Sequence, residues 1–167
     1  MPTFSADPEE RALEERCVAD VAEYWLHVVE VSAEADSPAF AYTVGLCRTF
    51  GRPEVIMFGL GLHTMRRLLN DLADSLREGH AFDAGDVSDR LLDGYDVTFR
   101  TVPKRQYAAY LGWANWFNDG HEYPTLQMIY PDRERRWPWT DGVAESFRRN
   151  QPVLEREPIP PWARDPF

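Results

Sequence analysis

The sequence has few of the features that mark secreted, membrane or nucleic-acid-binding proteins. Its 167 residues include two cysteines, too few for a disulfide framework, and Lys104 is the only lysine. The apolar run at 55–60 is far shorter than the ~20 residues that cross a bilayer, and the mean hydropathy is -0.49. The N-terminus lacks the charged and then apolar run of a secretion signal. We therefore expect a cytoplasmic protein without membrane contact.

Basic residues are also scarce relative to acidic ones, and the formal net charge is -10. Binding to nucleic acid depends on clustered Lys and Arg against phosphate, so this balance argues against a nucleic-acid partner. The charge is uneven along the chain, because residues 1–36 hold ten acidic residues and two arginines. The remainder is nearly neutral, and a basic partner protein would be attracted to the N-terminal segment.

The length fits one domain, which we divide into an acidic N-terminal helix at 1–24, a core at 25–142 and a proline-rich tail at 143–167. Asp7 and Pro8 form a typical helix start, with an N-cap followed by proline at the first helical position. Leucines and a methionine between 62 and 76 recur every three or four residues, which predicts a second helix ending before Gly79. A third helix is expected from Pro103 to about Asn118.

Runs rich in β-branched and aromatic residues predict five strands, at 25–31, 40–46, 54–59, 95–102 and 124–130. The first three are joined by short connections, which favour antiparallel pairing. The aspartate-rich segment 83–93 is expected to be a solvated loop. The order of elements predicts an α+β fold: a single domain with a mainly antiparallel five-stranded sheet and packed helices.

Several separated motifs point to one protein family. They are Ala41-Tyr42-Thr43-Val44-Gly45-Leu46, Phe50-Gly51 with Pro53-Glu54-Val55, Phe58-Gly59-Leu60, Leu68-Leu69-Asn70-Asp71-Leu72, Leu126-Gln127 with Tyr130-Pro131-Asp132, and Trp137-Pro138-Trp139. Over about residues 20–142 the chain resembles the bacterial domain-of-unknown-function family 4262. The resemblance implies a bacterial, cytoplasmic single domain and no particular reaction. Relatives often carry histidine in the loop before the Pro-Glu pair, where this chain has Arg48 and Arg52, which weakens any metal or acid/base site there.

The patterns of metal and nucleophile sites are missing. The four histidines form no HxH, HxxxH or HExxH pair, and Cys17 and Cys47 lack CxxC spacing. There is no GxSxG elbow and no glycine-rich phosphate loop. We therefore predict no bound metal and no cofactor, and we retain His63 and His121 as candidate acid/base residues.

A cluster of aromatic residues is the most informative feature. The 27 residues 113–139 contain four tryptophans and Tyr123 together with neutral hydrogen-bonding neighbours, a composition typical of ligand pockets and also of cores. The candidate ligand-binding residues are Trp113, Trp116, Gln127, Trp137 and Trp139, with Asn70 on a helix flank and Arg48 and Arg52 as anion-binding residues at the rim.

Three functions are compatible with these features. The first is a binding module whose aromatic groove takes a small molecule or a protein partner. The second is a small-molecule enzyme with His63 or His121 as acid/base in the same cleft. The third is a homodimer that uses the surface around Trp116 as its contact.

Overall fold

A computed structural model describes residues 2–164, in which one mixed sheet is covered by helices on both faces. Its strands are β1 (His27–Val31), β2 (Phe40–Val44), β3 (Glu54–Phe58), β4 (Val87–Leu92), β5 (Tyr95–Thr101) and β6 (Thr125–Ile129). Its helices are α1 (Pro8–Tyr24), α2 (Leu46–Phe50), α3 (Leu62–Arg77), α4 (Tyr107–Tyr110), α5 (Gly112–Phe117) and α6 (Glu145–Asn150). The single-domain α+β prediction is confirmed.

The sheet differs from the predicted one in strand number and direction. Within residues 2–164 it has six strands in the order β1-β2-β3-β6-β5-β4, and β3 pairs with β6 in parallel while the other neighbours are antiparallel. The predicted number of five strands was therefore wrong, and the sheet is mixed, because β3 and β6 form a parallel pair among antiparallel neighbours. Strand β6 inserts between β3 and β5 after the chain has crossed a face of the sheet, and no local hairpin signal reports such an insertion.

The missed strand, β4, lies in the segment that we expected to be a solvated loop. It pairs with β5 through a turn at Asp93 and Gly94, whose φ of 79° favours glycine. Most of its side chains face solvent, and Leu91 alone is buried. An edge strand with one inward apolar residue lacks the alternation from which strands are recognised.

Residues on alternate sides of the central strands build two apolar cores. On β3, Val55 and Met57 face α3, whereas Ile56 and Phe58 face the side covered by α1, α4 and α5. Helix α3 buries Met65, Leu68, Leu69, Leu72, Ala73 and Leu76, as its predicted spacing requires. The expected third helix is interrupted: a 3-10 turn at Lys104–Gln106 precedes α4, and Leu111 separates α4 from α5.

A buried carboxylate joins β2, α2 and β3. Glu54 accepts hydrogen bonds from Thr43 Oγ1 at 2.9 Å, from the amides of Gly45 and Leu46 at 3.0 Å and from the amide of Cys47 at 3.4 Å. Burial raises the pKa of the Glu54 carboxyl, although these donors oppose the shift. Gly45 has a φ of 107°, and an added Cβ would lie 2.7 Å from Val21 of α1, so this turn also sets where α1 packs.

The segment after α6 packs on the second core, the one that faces α1, α4 and α5. Gln151 is fully buried, and its side-chain amide both donates to the carbonyl oxygen of Tyr130 and accepts from its amide. Leu154 is also fully buried, and its amide donates to Gln127 Oε1 at 2.9 Å. The last three residues of the predicted tail, 165–167, lie outside the described residues.

Candidate binding groove at the sheet edge

A surface groove follows β1, which lies at one end of the sheet and, within residues 2–164, pairs only with β2. Its volume is about 740 Å³. Helix α1 forms one wall and α3 the other, and α5 contributes one aromatic side chain. The residues that line these walls include Leu13, Asp20 and Tyr24 from α1, Arg66 and Asn70 from α3, and Trp113 from α5.

The end of α1 explains why β1 lies beside it. Trp25 adopts a left-handed conformation with φ of 74°, and its amide donates to the carbonyl oxygen of Val21 at 3.0 Å. The guanidinium of Arg77 lies 3.7 Å from the centre of the Trp25 ring and fixes this turn against α3. The chain therefore reverses at this residue, and only Trp25 and Leu26 separate α1 from β1.

Side chains of β1 alternate between the two walls. His27 faces α1, and its Nδ1 donates to Asp20 Oδ2 at 2.9 Å. Glu30 faces α3, with its Oε1 3.7 Å from Arg66 Nε. Val28 packs with the α3 core, and Val29 packs with the opposite core. The side chains of β1 are thus engaged with both walls.

The main chain on the outer side of β1 is unpaired. Apart from the ladder with β2, no hydrogen bond within residues 2–164 involves a backbone group of residues 27–31. A regular edge strand of this kind is a template for another extended segment, and proteins usually protect such edges. The opposite edge, β4, has such protection, because its pairing with β5 is irregular between Ser88 and Leu92.

Two large apolar side chains of the α1 wall are exposed. Leu13 is 56% exposed and Tyr24 is 55% exposed. The neighbouring carboxylate of Glu23 raises the pKa of the Tyr24 hydroxyl. Both residues line the groove together with the half-buried Trp113. Apolar area that the fold leaves uncovered beside a groove is typical of contact surfaces.

Charges inside the groove are balanced, while those around it are not. Arg16 and Arg66 line the groove together with Asp20 and Glu30. The other acidic residues of the first 36 lie on α1, at its N-terminus and in the turn after β1. On the side of α1 and of the turn after β1, the groove is therefore flanked by a surplus of acidic residues.

The structure brings two of the predicted ligand-binding residues, Asn70 and Trp113, to this groove. Asn70 is exposed on α3, and its Nδ2 donates to the carbonyl oxygen of Arg66 at 3.0 Å. Trp116 contacts Trp113 edge to face, with 5.7 Å between ring centres. Its Nε1 donates to the carbonyl oxygen of Thr3, so it holds the N-terminal segment against the second core.

The other predicted ligand-binding residues have separate surroundings. Trp137 and Trp139 stack on each other with ring centres 5.7 Å apart, and the guanidinium of Arg100 lies 4.7 Å from the centre of the Trp139 ring. Gln127 is buried, and its Nε2 donates to the carbonyl oxygen of Pro152 at 2.7 Å. The amide of Gln127 is thus engaged at both ends with the segment 152–154.

The two candidate arginines also form hydrogen bonds within the protein. Arg48 lies in α2 rather than in a loop, and its guanidinium donates to the carbonyl oxygen of Phe117. Arg52 donates to the carbonyl oxygen of Phe82 and to Asp83 Oδ1 at 2.7 Å.

The candidate histidines are exposed and do not line the β1 groove. His63 lies in the first turn of α3, and His121 lies 5.8 Å from Tyr107 between ring centres. The histidine that the fold does place in the groove is His27, paired with Asp20 across the α1–β1 turn. Sequence reasoning missed this pair, because its seven-residue spacing matches no motif and depends on the left-handed turn at Trp25.

A second hollow of about 450 Å³ collects residues of two family motifs, Gly59-Leu60 and Tyr130-Pro131-Asp132. Three of its polar side chains form hydrogen bonds that stabilise the fold. The Tyr130 hydroxyl donates to the carbonyl oxygen of Phe58, Asn150 Nδ2 donates to that of Gly59, and Asp132 accepts from the amide and Nε of Arg136. We therefore regard the β1 groove as the better candidate site.

Among residues 2–164, no three or more His, Cys, Asp or Glu side chains are grouped so that they could hold a metal ion. Across the same part of the chain, no helix combines the length and apolar character needed to span a membrane.

Comparison with known protein families gives a match. The model of the family described as Domain of unknown function (DUF4262) matches residues 20–144, which contain all six strands of the sheet and the last turn of α1. No curated protein and no solved structure matches the chain. The matched segment makes up most of the sequence, so the chain belongs to the family Domain of unknown function (DUF4262).

Proposed function

We propose that this protein is a binding module that receives a small molecule or a segment of a protein partner in the β1 groove. The observation that carries the proposal is the exposed apolar pair Leu13 and Tyr24 beside a strand edge without a main-chain partner. The fold leaves both features unused, and both gain stability when they are covered.

Other features of the groove support the same proposal. Its mixture of aromatic faces and amide or charged groups, from Trp113 to Asn70 and Arg66, matches the composition of ligand sites. Tyr24 and Trp113 offer large contact area at a small cost in side-chain entropy, which suits them to binding surfaces.

A ligand-detected NMR screen of fragments and short peptides tests the proposal. We expect to find ligands that bind the wild type and whose binding signal is lost when the protein carries Leu13→Ser or Tyr24→Ser. Matched controls are Val87→Ser and Trp162→Ser, because Val87 is 60% exposed and Trp162 is 52% exposed, and neither lines the groove. The controls should retain the ligands. If every ligand found is insensitive to the two groove variants, the groove is not the binding site.

One observation favours catalysis as a second candidate. The carboxylate of Asp20 accepts from His27 Nδ1, which leaves Nε2 as the nitrogen available for proton transfer, in a groove that also holds Arg66 and Asn70. If a ligand of the screen is converted over hours by the wild type and not by His27→Gln, the protein is an enzyme. Binding without conversion supports the binding module.

A further inference from the structure

We infer that the natural occupant of the β1 groove is an extended polypeptide segment, apolar in its centre and basic at its flanks, that pairs with β1 as an additional strand. This inference rests on the proposed function and identifies the class of partner. It follows from the shape of the groove, the alternation of its walls and the distribution of charge.

The first argument is the main chain of β1. A strand that pairs with it would occupy the space between α1 and α3, about 4.8 Å from β1. Because the outer N–H and C=O groups of residues 27–31 have no partner within the described residues, pairing adds hydrogen bonds without breaking any. Recognition by strand addition draws affinity from the main chain and specificity from alternating side chains. Five residues, a length of about 17 Å, match β1.

The second argument is the difference between the two walls. Side chains of an added strand alternate, so every second one faces α1, where Leu13, Tyr24 and Trp113 provide apolar contact. The intervening side chains face α3, where Asn70 and Arg66 provide polar contact. The segment that fits this groove therefore has a centre in which apolar and neutral polar residues alternate.

The third argument is charge. The groove is lined by two arginines and two carboxylates, so the centre of the segment gains little from being charged. The flanking surface carries the surplus of acidic residues from the first 36, which favours Lys or Arg on both sides of the centre. A second copy of this chain fits poorly, because pairing β1 with β1 would bring two acidic surfaces together.

The test uses a fluorescent peptide, Lys-Lys-Val-Thr-Val-Thr-Val-Lys-Lys, and measures its anisotropy with the full chain. We expect saturable binding to the wild type and a loss of about tenfold in affinity when the four lysines are replaced by glutamate. Because exposed charges are screened, this difference should shrink as salt is raised. Tyr24→Ser should weaken binding about threefold to tenfold, and the control Trp162→Ser should not change it.

Two N-methylated peptides decide whether the peptide pairs as a strand. Methylation of both Thr amides blocks one edge of the peptide, and methylation of the Val amides blocks the other edge. One of the two should bind at least about tenfold more weakly than the other, since β1 can pair with one edge only. Hydrogen exchange of residues 27–31 should slow on binding of the parent peptide.

The outcomes separate this inference from the proposed function. If the two methylated peptides bind with equal affinity, the segment is not an added strand and the inference is wrong, while sensitivity to Tyr24→Ser would keep the groove as a binding site. If the parent peptide does not bind, the inference is also wrong. The fragment screen then tests independently whether the groove is a binding site. A peptide-free dimer with protected β1 amides would show that the occupant is a second copy and would overturn the inference.

Discussion

Replacement of Thr43 by valine removes a hydroxyl that has two partners in the core. Thr43 Oγ1 donates to Glu54 Oε1 at 2.9 Å and accepts from the amide of Val55 at 2.9 Å. Valine has nearly the same shape and makes neither contact. The buried amide of Val55 then costs about 1 to 3 kcal/mol, and the bond lost to the carboxyl costs about 1.5 to 3 kcal/mol. Because the two effects share one site and are not additive, we expect a loss of about 2 to 5 kcal/mol in the free energy of unfolding.

The same substitution should depend on pH in a definite direction. Burial raises the pKa of Glu54 above its ordinary value of 4.5, so the folded state keeps this proton to higher pH than the unfolded state does. Loss of the Thr43 donor removes an interaction that favours the charged form, which raises this pKa further. The folded variant therefore binds more protons than the folded wild type above that ordinary value, and its deficit in stability grows as the pH rises.

Urea unfolding followed by circular dichroism, repeated from acidic to neutral pH, measures both effects. Thr98→Val is the matched control, because Thr98 is 4% exposed in β5 and its Oγ1 donates only to the carbonyl oxygen of Asp86. The control should lose about 1 kcal/mol without a trend in pH. A loss below about 1 kcal/mol for Thr43→Val, or a loss that stays constant across this pH range, would refute the reasoning.

Two further predictions concern the cores. In chemical denaturation, Leu69→Ala should lower the free energy of unfolding by about 2 to 5 kcal/mol, since Leu69 of α3 is fully buried. The control Asp71→Ala, on the exposed side of α3, should change it by less than about 0.5 kcal/mol, and equal losses would contradict the packing of α3. Burial raises the pKa of the Cys17 thiol to about 12, so Ellman's reagent at pH 8 should react with the partly exposed Cys47 first and with Cys17 only after unfolding; equal rates in the native protein would contradict the burial of Cys17.

The candidate site was predictable only in part. The sequence pointed to Trp113 and Asn70 as ligand-binding residues by composition and helical angle, and the fold places both in the β1 groove. It gave no sign that His27 would meet Asp20, because that contact depends on a single left-handed residue, Trp25. The predicted acid/base residues His63 and His121 are exposed and lie outside the groove.

Local interactions determined what the sequence predicted correctly. The N-cap at Asp7, the three- and four-residue spacing within α3, and the β-branched runs of β1, β2 and β3 each depend on neighbours within one or two turns, so they are visible along the chain. Contacts between distant segments determined the rest. The insertion of β6 beside β3 and the groove at β1 arise from which strands find partners and which edge remains without one. That choice is a property of the assembled sheet, because main-chain hydrogen bonds between strands carry no side-chain signature in the sequence.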